Sequence, residues 1–586
     1  MPFGACKSLT NVSLSAKLIA ISPNLFANCT ALSHIDIPEK VAGIGPFAFQ
    51  GCTNLHSVAL PRDAGSIGAK AFLGCTTLSN ITLGDMLFQV GDGAFEGCSA
   101  LANVAIPKNV QWLGNAIFYG CTNLGSIEVD SLNLWYSSLN GVLFDKKQVE
   151  LIQFPGGKGG EYTIPDSVTD VRAYAFYQCV ALTRLTIKAS VSTFWYPWIS
   201  GCTALKEFVM DPRDDRFSAL DGVWFNKSRT ALLHYPGGLT GSYSIPDGVT
   251  SVWDYAFSGS ANLTEVTMPN GLMSLGVNAF NGCGSLTNAN IPRKLVAISS
   301  GAFLGCGLVD IAIPENVRYI GDGAFRDCVN IRSVNIENGV ISIGRSAFSR
   351  CSRLTNITLS TNLTEIGQDA FSSCVSLTNV IIPDPVRTLN GFRDCTNLVS
   401  VLGGRGVTSI ASSAFYGCAR LTGFTLSAGL TRIGAQAFQG CISLTNIVFP
   451  KGLTFLSASA FQDCDHLLTA YFKGDAPVDP ISAMRFADPM TTVYYLPETK
   501  GWTSSFGDRP AILWNPQAEL ASFTAGRFRF DLTGPPQTFI VIEACDNLSS
   551  DAWLPVSTNL LSAAGFEPFG DLQSPVERRF YRFRSP

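Results

Sequence analysis

Short alternations of apolar and polar residues recur along the chain at a fixed interval. In Leu78-Ser-Asn-Ile-Thr-Leu83, Ile81 and Leu83 alternate with Asn80 and Thr82, the period-two pattern of a half-buried strand. A Pro often closes this strand, as at Pro38, Pro61, Pro107, Pro292 and Pro314, and Pro cannot donate to the next ladder bond. A second short extended piece follows, Val110-Gln-Trp-Leu113 in one copy. Gly then turns the chain, and Ala-Phe-x-x-Cys is expected to make a tight helical or 3-10 turn back. About six apolar side chains per turn point inward, and at roughly 1.5–3 kcal/mol for each fully buried large one, the core exists only when turns stack.

The interval is read from the cysteines. Cys6, Cys29, Cys52, Cys75, Cys98 and Cys121 are 23 residues apart, as are Cys179–Cys202, Cys283–Cys306, Cys328–Cys351–Cys374 and Cys395–Cys418–Cys441–Cys464. An aromatic or apolar residue precedes each by three, as at Phe49 and Phe72, and a Leu usually follows by three, as at Leu55 and Leu78. The steps Cys306–Cys328 and Cys374–Cys395 are shortened to 22 and 21, and Ser260 stands in one Cys place. Two gaps of 58 residues each equal one turn plus 35. Their inserts match: Ser138-Leu-Asn-Gly-Val-Leu-Phe-Asp145 through Phe154-Pro-Gly-Gly157, and Ala219-Leu-Asp-Gly-Val-Trp-Phe-Asn226 through Tyr235-Pro-Gly-Gly238. Asn-Gly and Asp-Gly between apolar runs signal hairpins.

The pattern predicts a mainly β chain with short helical or 3-10 turns, wound as a right-handed solenoid of about eighteen 23-residue turns. The solenoid covers 1–470 with hairpin inserts at about 130–165 and 211–246. Residues 471–516 read as a capping or linker segment, and 517–586 as a small β-sandwich-like module. Phe3 to Cys6 is already the tail of a turn, so upstream residues, an export signal among them, are expected to be missing.

With the unit A-F-x-G-C-x-x-L-x-x-I-x-I-P-x-x-V-x-x-I-G in hand, residues 3–470 resemble the BspA-like class of bacterial leucine-rich repeats. The resemblance implies a leucine-rich-repeat solenoid in an exported or surface-displayed protein that binds other proteins or cell surfaces. The tail, Phe539-Ile-Val-Ile-Glu-Ala544, Asn547-Leu548, Trp553 and Arg579-Phe-Tyr-Arg582, is similar to C-terminal modules of exported proteins of the Verrucomicrobia–Planctomycetes kind. That likeness implies attachment or export sorting.

Composition narrows the chemistry. Charged residues make up 15%, the net charge is −4 and no apolar run is long enough to span a membrane, so neither disorder nor nucleic-acid binding fits. Seventeen of eighteen cysteines share one repeat position, among them Cys29, Cys52, Cys75, Cys98, Cys351, Cys374, Cys418 and Cys441. Side chains stacked in register point in parallel, with Cβ atoms about 4.8 Å apart, too far for a relaxed disulfide. Buried free thiols filling small core sites are favoured, and a column offers no tetrahedral metal site. The histidines His34, His56, His234 and His466 share no repeat position, and Gly156-Gly-Lys-Gly-Gly160 lacks the Gly-Lys-Ser/Thr order of a phosphate loop.

The outward strand column, with Asn80, Asn103, Arg184, Glu207, Asn288, Asn356 and Asn379, is polar and nearly free of aromatics. Trp residues concentrate instead around the inserts. Phe194-Trp-Tyr-Pro-Trp198 occupies a turn where I-G-x-x-A is the rule, so a Trp stands in the turn Gly's place and is expected to project. Trp135, Tyr136, Trp195, Tyr196, Trp198 and Trp224 are therefore the candidate contact residues, against the plainer reading that they pack the hairpins onto the coil. The function expected is a non-catalytic, adhesion-type repeat protein at the cell surface or outside the cell, a monomer without cofactor or metal, binding an unidentified protein or cell-surface ligand. The alternative is a carbohydrate-binding accessory protein using the aromatic patch.

Overall fold

The alternating residues do form strands. In the computed structural model, which describes residues 3–457, 459–477, 490–524, 527–535, 538–545, 553–562, 565–571 and 579–584, Asn103–Ile106 buries Val104 and Ile106 and exposes Asn103 and Ala105. The chain divides into two units, Met1–Leu308 and Val309–Pro586.

In the first unit, equivalent strands of successive turns pair in parallel, Ser57 opposite Asn80 and Asn103 opposite Ser126. The shorter second pieces, Gly43–Ile44, Ser66–Ile67, Gln89–Val90 and Trp112–Leu113, form a parallel four-stranded sheet. Phe26, Phe49, Phe72, Phe95 and Phe118 stack ring over ring with centroids 5.2–5.6 Å apart. The turn Gly has a steric reason: a Cβ on Gly68 would stand 2.4 Å from the Pro46 nitrogen of the preceding turn.

The helical turn expected at Ala-Phe-x-x-Cys is not found, and no helix occurs among the described residues. Alternate amides bond in two directions. Ala48, Gln50 and Cys52 donate to the carbonyls three residues back, while Phe47, Phe49 and Gly51 donate to Ala69, Ala71 and Leu73 of the next turn. A helix keeps all its amides within itself and all its φ angles negative. Here Phe47 and Gly51 lie at φ 57° and 70°, and the segment is a run of β-turns stitched to its neighbour.

Each insert is a three-stranded meander: Tyr136–Leu139, Val142–Asp145 and Glu150–Gln153 in the first, Phe217–Leu220, Val223–Asn226 and Ala231–His234 in the second. The third strand rejoins the coil in parallel, Glu150 opposite Asp170 and Ala231 opposite Ser251. Positive φ at Asn140-Gly141 and Asp221-Gly222 gives both first hairpins the tight turn that their sequence asked for. The turn tips reach across to the longer strands, Ile127 N donating to Gly141 O and Phe208 N to Gly222 O. On the opposite side the enlarged turn skips its outer loop. The loops before and after it close the seam, through Tyr119 and Tyr177 rings 4.9 Å apart in one copy and a 2.9 Å Ser200–Ser258 hydroxyl bond in the other.

In the second unit, parallel strands continue past Leu467: Asn446–Phe449, Thr469–Phe472, Thr492–Tyr495 and Arg509–Leu513 share one sheet. Two three-stranded antiparallel sheets follow, Gln517–Thr524 with Arg527–Thr533 and Phe566–Gly570, and Leu554–Leu560 with Phe539–Cys545 and Phe580–Arg584. Their core, with Phe530, Leu532, Ile540, Ile542 and Leu561, takes in Tyr471, Tyr494 and Trp514. Residues 478–489 of the closing segment and the Asn547-Leu548 stretch of the C-terminal pattern lie outside the described residues.

Candidate functional site

The inserts are the same frame 81 residues apart, so each position can be compared with its twin. In the first copy Asn133 is buried; its Oδ1 accepts from Trp135 N and Tyr136 N, and its amide donates to Pro107 O and Val110 O of the turn before. In the second copy Asp214 accepts from Arg216 N and Phe217 N, and the Arg216 guanidinium supplies the bonds to Ala189 O and Val191 O. One amide's work is divided between a carboxylate and a guanidinium. Burial pushes the Asp214 pKa up, but Arg216 and the two backbone amides outweigh it, and the net direction is down. The Arg213 guanidinium and backbone amide hold Asp211 well below the usual carboxylate range.

The six aromatic candidates separate. Trp198 (0% exposed), Trp224 (2%) and Tyr136 (8%) are core residues and offer no contact surface. The Tyr136 hydroxyl accepts from Leu113 N and donates to Gln111 O, closing the edge of the Trp112–Leu113 strand. Trp198 and Trp224 meet at 5.4 Å and 73°, and Phe194, Phe208, Phe217 and His234 pack around Trp224. His234 stands at 89° to Trp198, and burial lowers its pKa from 6.5 to about 3, so its ring is neutral.

Trp135, Trp195 and Tyr196 do reach solvent. Trp195 and Tyr196 are joined by Trp253, which sequence reasoning did not single out; the three are 40–57% exposed. Tyr196 and Trp253 have ring centroids 6.3 Å apart, and Tyr196 lies over buried His234, interplanar angle 16°. Burial of one ring face and the nearby Asp254 carboxylate push the Tyr196 hydroxyl up. The twin of Trp253 is Arg172, paired with Glu150 through bonds of 2.8 and 2.6 Å, and the twin of Glu150 is Ala231. An ion pair in one copy is an exposed Trp in the other. Trp135 stands apart, exposed at the first insert.

The strand column is polar where expected, and Arg184 bridges Glu161 and Glu207 across three strands. In the second unit the next outward position on the same strands, two residues beyond Asn379 and Ser400, turns apolar at Ile381 and Leu402, register partners exposed by 67% and 54% beside a groove of about 650 Å³. The cysteines are free thiols. They also do something their size alone did not foretell. Cys52 Sγ donates to Phe26 O, Cys75 to Phe49 O, Cys351 to Phe325 O and Cys418 to Phe392 O, each at 3.1–3.2 Å. Burial raises the thiols of Cys75, Cys351 and Cys418, and pushes those of Cys52, Cys121, Cys395 and Cys464 up to about 12, so these stay protonated donors. The Ser260 hydroxyl, in a Cys place, is buried and has no partner.

Among the described residues no group of three or more His, Cys, Asp or Glu is arranged to hold a metal, and no helix is long and apolar enough to cross a membrane. The family model described as a BspA type leucine rich repeat region matches six times, over residues 2–65, 44–159, 158–228, 238–306, 274–391 and 390–488. No curated protein matches the chain. Among solved structures, a leucine-rich cell surface protein from Faecalibacterium prausnitzii is 29% identical, covering 59% of this chain and 85% of its own, with a TM-score of 0.38. A leucine-rich repeat protein from Eubacterium ventriosum is 23% identical over 62% and 89%, TM-score 0.32. The pneumococcal vaccine antigen PcpA is 19% identical over 53% and 74%, TM-score 0.30.

Proposed function

The chain belongs to the BspA-type leucine-rich-repeat family, and from that premise we propose that it is a non-catalytic recognition protein, displayed on or outside the cell, that binds protein or cell-surface partners. One observation carries the reading: Trp195, Tyr196 and Trp253 are exposed together on a frame whose twin does without them. Large rigid aromatics give contact area at low entropic cost, which is why Trp and Tyr dominate binding hot spots. In this reading the coil of 1–470 displays the site, 471–516 closes it, and the module of 517–586 serves attachment.

A second reading has an observation of its own. Flat aromatic faces beside a carboxylate, Asp254 near Tyr196, suit the apolar face and hydroxyl edge of a sugar ring. The test is binding of labelled full-length protein to host or neighbouring cells treated with protease or with glycosidases. Protease-sensitive binding, reduced at least about tenfold in Trp195→Ala/Tyr196→Ala/Trp253→Ala, is the result expected from losing aromatic anchors. Loss after glycosidase alone would favour the sugar reading. Undiminished binding by the triple variant would sink both.

A further inference from the structure

The duplicated insert is an internal control. Residues that hold the frame repeat: Gly141 and Gly222, Phe144 and Phe225, Leu151 and Leu232. Those on its outer rim do not. Around the first insert Met86, Phe88, Trp112, Leu132, Leu134 and Trp135 are 38–71% exposed. At the twin positions stand Ser167, Thr169, Thr193, Arg213, Asp215 and Arg216. The frame folds with polar or charged side chains at all six places, so its packing has no need of apolar ones.

The six make one surface. Gln111 N and Trp112 N both donate to Phe88 O, which sets the Trp112 backbone beside that of Phe88, whose ring reaches back over Gly65 of the turn before. The Tyr136 hydroxyl bonds Leu113 N and Gln111 O, and the Asn133 amide bonds Val110 O, which sets the segment Leu132–Trp135 on the other side of Trp112. Met86, Asn109 and Leu132 hold the same position in three consecutive turns. Half-buried Asn109 and exposed Gln111 contribute uncharged amides among the six, and the charge beside the patch is the Lys146 ammonium, which bonds Ser131 O and Asn133 O.

Its size indicates the occupant. With roughly 150–250 Å² on each aromatic and somewhat less on Leu and Met, the exposed fractions amount to something on the order of 600 Å². That is the upper end of what a monomer's surface carries. Two such patches face to face would bury about 1,200 Å² before any rim is counted, which enters the range of stable, specific interfaces. A two-fold contact asks one patch to be complementary to itself, and apolar side chains around uncharged amides meet that condition, whereas a charged partner surface would be desolvated against it. We propose that the rim of the first insert is the docking surface for a second copy of this chain in a two-fold symmetric dimer, in place of the monomer expected from the sequence.

Sedimentation velocity of the full chain over about 1–100 µM tests this, the span in which an interface of this size populates a dimer. Two variants borrow residues that the twin frame already carries: Leu132→Arg/Leu134→Asp/Trp135→Arg and Phe88→Thr/Trp112→Thr. The wild type should dimerise, and each variant should weaken the dimer about 30-fold or more, the loss of one buried anchor, with an unchanged far-UV circular dichroism spectrum. A wild type that sediments as a monomer throughout overturns the proposal, including one whose patch captures a different protein. So does a dimer that both folded variants leave intact.

Discussion

Replacing His234 by Gln should remove an acid-labile step from the second insert. The wild-type ring is 3% exposed, in van der Waals surroundings of Trp198, Trp224, Tyr196 and Phe208, and its pKa falls from 6.5 to about 3 because burial disfavours the charged form. The unfolded segment binds a proton below pH 6.5 and the folded one does not. Stability from this group is therefore complete above pH 6.5 and declines as pH falls toward 3, by up to about 1.4 kcal/mol per unit. At pH 5 the loss is roughly 2 kcal/mol. Asp211 and Asp214, whose pKa values are lowered, stay ionised at pH 5 and add nothing to the slope. Gln is the twin's residue: Gln153 is buried and donates its amide to Phe154 O and Ala175 O, and the second copy has Tyr235 and Ala256 in those places. A coil opens segment by segment, so the assay should be local. Hydrogen exchange of peptides spanning 194–257 at pH 7 and pH 5, corrected for intrinsic rates, should show an acid-induced loss of protection in the wild type that His234→Gln lacks. Equal losses in the two proteins would refute the argument.

Two further expectations concern buried polar groups. Cys75→Ser shortens the donor that serves Phe49 O and leaves a hydroxyl unsatisfied in the core, costing about 1–3 kcal/mol, while Ser260→Cys should gain about 1 kcal/mol by restoring the missing donor. Exchange protection of the affected turns measures both, and a neutral Cys75→Ser would show that the thiol ladder contributes nothing. Arg216→Ala strands the Asp214 carboxylate, whose side chain is 1% exposed, at a cost of about 2–3 kcal/mol, the lower end of the range for a broken buried pair because Arg216 itself is a third exposed. Asp214→Asn/Arg216→Trp, the first copy's residues, should recover most of it in urea unfolding followed by Trp fluorescence.

Strand and turn positions were legible because they repeat: period two places Asn103 out and Val104 in, and a 23-residue step stacks Phe on Phe. The Ala-Phe-x-x-Cys segment misled, since its helix-like spacing hides amides that bond alternately within the turn and to the next one. The third strand of each insert was hidden for a similar reason. Its turn is made by Asp145 accepting from Val149 N and Glu150 N, and Asn226 from Thr230 N and Ala231 N, a side-chain device with no Gly or Pro to mark it. Of the aromatic candidates, Trp198 and Trp224 are buried by each other and by the insert, which no local pattern records. The apolar rim went unseen because Leu132 and Leu134 attract no notice singly. Their twins Arg213 and Asp215 were the available signal.

The seams also say how such a chain changes length. Residues 121–201 and 202–282 are one 81-residue cassette present twice, and contacts along the coil stay between near neighbours. An in-frame loss of residues 122–202 would join Cys121 to Thr203, the same dipeptide as the native Cys121-Thr122, followed by a Leu at the same spacing. Whole cassettes can thus be gained or shed by unequal recombination with no junction to repair. One copy is free to drift at its rim while the other keeps what it binds.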